Sequence, residues 1–128
     1  MSAPRPITVS TADSCQWALR AMSAANVDRL AVLEGDRVVG IVTDRDIYRL
    51  ATRMLSIHRD DASFLACARV SGVMTYLPVT LSPATQLVEA IEALLETEGG
   101  ALPVVDHGEF CGLVTTTDLL HAALSMLE

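Results

Sequence analysis

The apolar positions of this 128-residue chain recur with two periods, one of strands and one of helices. Aliphatic runs at 30–33, 38–43, 102–105 and 110–115 predict four strands in two pairs. Glu34-Gly35-Asp36 and Asp106-His107-Gly108 stand within those pairs and supply hairpin-turn chemistry. A helical pattern precedes each pair. Leu87, Ala90, Ile91, Leu94 and Leu95 share one face, with Glu89, Glu92 and Glu96 opposite; Cys15, Ala18, Leu19 and Met22 form the matching face of an earlier helix. Ser10 with Asp13 reads as a capping box, and Ser82 with Pro83 as an N-cap followed by N1. Asn26 and Gly99-Gly100 read as C-terminal stops. Short extended segments at 7–9 and 79–81 lead each set, and a last helix opens at Thr43 and again at Thr115.

These elements are two copies of one unit. Shifting the chain by about 72 positions aligns residues 6–51 with 78–123 without a gap, and roughly 13 of about 46 positions are identical. Thr8/Thr80, Leu30/Leu102, Val32/Val104, Gly40/Gly112, Thr43/Thr115 and Asp46/Asp118 are among them. One unit is too small to bury a stable core alone, so the two are expected to pack together. The fold class expected is α+β, a β-α-β-β-α unit repeated in tandem as one pseudo-twofold domain. The expected divisions are repeat 1 at 1–55, a connector at 56–75 and repeat 2 at 76–128. The connector has helical spacing (Met54, Leu55; Phe64, Leu65, Ala68), is broken near 58–61, and closes at Gly72.

Composition narrows the class. Aromatic residues are only 4% of the chain against 51% hydrophobic, so the core is aliphatic. No apolar run approaches the ~18 residues of a membrane span, and no signal peptide is visible at the start. Three widely spaced cysteines suit reduced thiols in a cytoplasmic protein. The net charge of −7 argues against nucleic acid as the main partner. That charge is unevenly divided: all nine basic residues are Arg within residues 5–69, whereas 71–128 hold acids and no Arg or Lys.

The strings GIVTDRD at 40–46, GLVTTTD at 112–118, ALPVVD at 101–106 and VSGVMTYLPVTLSPAT at 70–85 resemble the CBS domain, which occurs as tandem pairs called Bateman modules. The resemblance covers nearly the whole chain and implies a stand-alone regulatory module. It implies that the module takes an adenine nucleotide or S-adenosylmethionine between the repeats, with magnesium accompanying ATP and no cofactor required. It further implies a homodimer and a regulated partner protein of unknown identity.

The Thr-x-x-Asp pairs Thr43/Asp46 and Thr115/Asp118 read first as capping boxes. The same geometry presents free N–H groups and a helix dipole to an anion, and a carboxylate that can accept from two vicinal hydroxyls. The resemblance places Asp46 and Asp118 on a ribose with Thr43 and Thr115 beside it. It places Thr8, Thr80, Leu30-Ala31 and Leu102-Pro103 near the adenine. Arg29 and Arg45 are the candidate phosphate partners, with counterparts Ala101 and Thr117, while His121 matches Arg49. First-half arginines are therefore expected to serve any phosphates, and the second site to favour ligands of little negative charge.

Neither a nucleophile setting nor metal-ligand spacing is present, so catalysis and structural zinc are not expected. Cys15 and Cys111 read as buried small hydrophobes and Cys67 as exposed. Trp17 falls off its helix's buried stripe and is expected near a helix-rich dimer interface. The alternative reading is a ligand-free scaffold acting through its dimer surface.

Overall fold

The computed structural model describes residues 7–58, 63–76, 79–97 and 100–127. Strand β1 (Thr8–Ser10) runs parallel to β2 (Arg29–Glu34), which pairs antiparallel with β3 (Arg37–Thr43). Helix α1 (Cys15–Ala25) links β1 to β2, and α2 (Asp44–His58) follows β3. The second repeat holds α4 (Leu87–Leu95), β5 (Ala101–Asp106), β6 (Glu109–Thr115) and α5 (Thr116–Ser125). Its counterpart of β1 is a single parallel bridge, Leu81 to Val104. The mixed α+β architecture of two repeated units is thus as the sequence implies.

The connector is structural. It forms α3 (Phe64–Cys67) and a 3₁₀ turn at Val70–Gly72, then β4 (Thr75–Tyr76), which adds to the open edge of β3. Backbone bonds from Cys15 N–H to the Ala68 carbonyl (2.8 Å) and from Val70 N–H to the Asp13 carbonyl (2.8 Å) tie it to the start of α1. Val70 and Met74 are buried with Val9, Cys15, Leu30, Val32, Val42 and Ile47 in the first core. A second core gathers Leu81, Ala90, Leu94, Ala101 and Leu102 around Ile41, which the first repeat contributes from β3. The repeats therefore share a seam, as units too small to be stable alone require.

Several helix boundaries differ from expectation, alike in both repeats. Ser10 and Asp13 close a turn, with Ser10 N–H donating to Asp13 Oδ2 (2.8 Å), but the cap of α1 is Ser14, whose hydroxyl accepts from Trp17 N–H (3.0 Å). Ser82 likewise closes a turn with Thr85, and α4 begins at Leu87 behind Gln86. In each case the side chain satisfies the backbone one turn too early, because Ser, Thr and Asp stabilise local turns as readily as helix starts. Asn26 ends α1 in the left-handed conformation (φ 56°), as expected. Helix α4 stops at Leu95 rather than at Gly99-Gly100; Gly99 lies outside the described residues. Leu95, the last residue of α4, is 81% exposed, so the core stripe ends at the buried Leu94. Cys111 also corrects the sequence reading: it is exposed on β6, not buried, because alternation along the strand turns it outward between Phe110 and Gly112.

Candidate functional site

The first site is built where β2 begins and β3 ends. Arg29 and Thr43 are partners in the ladder, and the Asp44 N–H donates to the Asp28 carbonyl (2.9 Å), locking the start of α2 onto the start of β2. Thr43 N–H donates to Asp46 Oδ2 (2.9 Å) and Asp46 N–H to Thr43 Oγ1 (3.1 Å), a complete capping box. Only one carboxylate oxygen of Asp46 is used in this way among the described residues, which leaves the other able to accept from a ligand. Asp46 is half-buried and stands in the wall of a cavity of about 590 Å³ with Asp28, Arg29, Thr43, Arg45, Arg49 and Thr75. Arg29 is held in place by Asp28 (Nε to Oδ1, 3.1 Å).

The second site repeats this plan. Ala101 pairs with Thr115, and Thr116 N–H donates to the Gly100 carbonyl (3.2 Å), as Asp44 does to Asp28. Thr115 and Asp118 form the same reciprocal pair at 2.9 and 3.2 Å. Here Asp118 is exposed. Thr115 and Leu113 line a cavity of about 710 Å³ whose remaining wall comes from the first repeat, including Asn26, Asp28 and Arg29. Arg29 therefore borders both cavities. Its guanidinium also reaches the second repeat directly, since a Cβ placed on Gly100 would lie 3.8 Å from Arg29 Nη1.

The other sequence candidates are placed differently. Leu30, Ala31, Leu102 and Pro103 are fully buried, Leu30 in the first core and Leu102 in the second. The Pro103 carbonyl is already engaged by Leu81 N–H (2.8 Å). Thr8 borders a separate cavity of about 580 Å³ with Leu33, Asp36 and the 107–110 turn. Thr80 is exposed beside the Leu81 bridge. The structure thus brings together Arg29, Thr43, Arg45 and Asp46 in one cavity, and Arg29 with Thr115 in another. Sequence reading passed over Asp28 and Thr75, and named Arg49 only as the counterpart of His121. Asp28 has no signal in the repeat because its counterpart is Gly100, and Thr75 enters only through the β4 crossing. Among the described residues, no group of three or more His, Cys, Asp or Glu gathers to hold a metal, and no helix is long and apolar enough to cross a membrane.

The sequence profile of the CBS domain family matches residues 1–53 and 70–125. The chain belongs to the CBS-domain family. This CBS pair is 35% identical over 126 residues to a CBS domain-containing protein of Dictyostelium discoideum, covering 94% of the pair and 86% of that protein. It is 35% identical to an inosine-5'-monophosphate dehydrogenase of Korarchaeum cryptofilum over 90% of the pair, but spans only 22% of that enzyme. Among solved structures, CBSX2 in complex with AMP superposes with a TM-score of 0.71 at 28% identity, covering 96% of the pair and 90% of CBSX2.

Proposed function

We propose that this CBS pair is a regulatory module, not an enzyme, that binds an adenosine-containing ligand (AMP, ADP, ATP or S-adenosylmethionine) and reports its occupancy to a partner protein. The observation that carries the reading is the Thr43/Asp46 box in the wall of a cavity that also holds Arg29, Arg45 and Arg49. Asp46 and Asp118 would accept from ribose hydroxyls, and the adjoining helix N-termini and arginines would meet phosphate. With ATP, any magnesium would be carried by the phosphates. The AMP complex of the similar CBSX2 supports the ligand class. Leu30, Ala31, Leu102 and Pro103 would shape the adenine end through the strands they hold in place, with Thr8 paired to Ala31 and Thr80 next to the Leu81 bridge. Three widely spaced cysteines and the acidic balance fit a cytoplasmic location, and a homodimer is the assembly the family resemblance implies.

A specific observation favours a second reading, a scaffold that works by association alone: α4 and α5 expose Val88, Leu95, Leu120 and Leu124, and Met126 is exposed just after α5. Calorimetric titration with AMP, ADP, ATP and S-adenosylmethionine separates the two. Saturable binding of any of them supports the sensor, and heat of dilution alone with all four leaves the scaffold.

A further inference from the structure

Helix α2 carries Arg45, Arg49 and Arg53 at i, i+4 and i+8, a single file of arginines along its exposed face. Like charges at this spacing repel one another and weaken a helix. The acids of α2, Asp44 and Asp46, both lie in its first turn, and Asp46 is engaged by the Thr43 cap. Neither Arg45 nor Arg49 has a hydrogen bond or ion pair among the described residues. The fold does not require the file, since α5 forms with Thr117, His121 and Ser125 at the equivalent positions.

The file lines a groove of about 840 Å³, together with Tyr48 of the same helix and Gly72 and Val73 of the connector. This groove adjoins the cavity of the first site, because Arg45, Asp46 and Arg49 line both. Arg53 and Gly72 line the groove and not that cavity.

Spacing and charge select the occupant. From Arg45 to Arg53 the helix rises about 12 Å, or about 6 Å from one arginine to the next. Alternate side chains of an extended peptide point to one side at intervals of about 6.6 Å. An extended segment with an acid at every second position can therefore offer one carboxylate to each arginine. A nucleic-acid strand also presents a row of anions, but it continues past the groove into the field of a chain whose net charge is −7. A short acidic segment avoids that repulsion.

We propose that this groove takes an extended acidic segment of a partner protein, and that phosphate in the adjoining cavity competes with it for Arg45 and Arg49. Occupancy is then reported by competition: a bound nucleotide withdraws two of the three arginines, and the segment leaves. The competition rests on the functional reading above; the docking of the segment does not.

The probe is a fluorescein-labelled peptide of three glutamates alternating with serines, read by anisotropy on the full chain at low salt. Saturable binding is expected, weakened about tenfold in Arg53→Glu, as for the loss of one charge-assisted bond. Gly72→Glu sets a carboxylate in the groove, where an added carbon meets open space, and is expected to weaken the peptide likewise. Both variants should keep the parent's circular dichroism and AMP affinity. Saturating AMP is expected to weaken the peptide by about tenfold or more, and adenosine, which lacks phosphate, to leave it unchanged. No saturable binding, equal binding of the peptide with lysine in place of glutamate, or unchanged affinity in both variants overturns the docking. Tighter binding of a single-stranded oligonucleotide of the same charge overturns it too. Peptide binding that AMP leaves unchanged, in a chain that binds AMP, overturns the competition alone. A chain that binds the peptide and not AMP supports the docking and overturns the competition together with the functional reading.

Discussion

The Thr75 carbonyl oxygen occupies the space that a Cβ on Gly40 would fill. This contact is why β4 can lie along β3, and why the chain between the repeats becomes part of the first repeat's sheet and of its cavity wall. The same substituent would press on Met74 Sδ at 3.3 Å, within the first core.

Gly40→Ala is accordingly expected to destabilise the fold by about 1–3 kcal/mol, the usual range for overpacking. Gly72→Ala has open space around its added carbon and is expected to stay within about 0.5 kcal/mol of the parent. Urea unfolding of the three proteins checks this, and equal midpoints for Gly40→Ala and the parent would remove the role assigned to the crossing.

Asp46 has two separable duties. Thr43→Ala removes the hydroxyl half of the capping box and is expected to lower stability by about 0.5–2 kcal/mol, while the carboxylate that would hold a ribose remains. Asp46→Ala should show a similar loss of stability together with loss of AMP binding at that cavity. Paired thermal melts and titrations read the difference; equal loss of binding in both variants would mean that the box acts only through the helix end.

Arg29 borders both cavities, whereas Arg45 borders only those of the first repeat. Arg29→Ala should therefore weaken ADP or ATP at both sites, by about tenfold if one charge-assisted bond of roughly 1.4 kcal/mol is lost. Arg45→Ala should affect one site only. Two-site calorimetry distinguishes them, and unchanged affinity in Arg29→Ala would exclude it as a phosphate partner.

Burial pushes the Cys15 thiol above its ordinary pKa, because the thiolate would lose hydration in the core. Iodoacetamide at neutral pH should modify Cys67 and Cys111 quickly and Cys15 only after unfolding. The sign for stability follows from the raised value: Cys15 favours the fold fully below the unfolded thiol's pKa, and that contribution is lost as pH rises through the folded one. Urea midpoints should therefore fall less steeply on the alkaline side in Cys15→Ala, measured against its own neutral-pH value.

The duplicated architecture was legible because period-2 and helical patterns recur 72 residues apart, and a repeat compares each reading with a second copy. The Thr43/Asp46 and Thr115/Asp118 boxes were legible for the same reason. The N-caps of α1 and α4 were not, since Ser10 and Ser82 satisfy local turns that spell the same residue types as a helix start. Cys111 was misread because its strand faces outward where the counterpart Val39 is half-buried against the first core. Asp28 and Thr75 stayed invisible, being placed by tertiary contacts the repeat does not share.

The central claim is that Asp46 and Asp118 mark two adenosine sites, and AMP titration of four proteins tests it most directly: the parent, Asp46→Ala, Asp118→Ala and the double variant, each first shown folded by circular dichroism. Two sites in the parent, one in each single variant and none in the double variant is the predicted result. AMP binding by the double variant equal to the parent's, or no AMP binding by the parent, would contradict it.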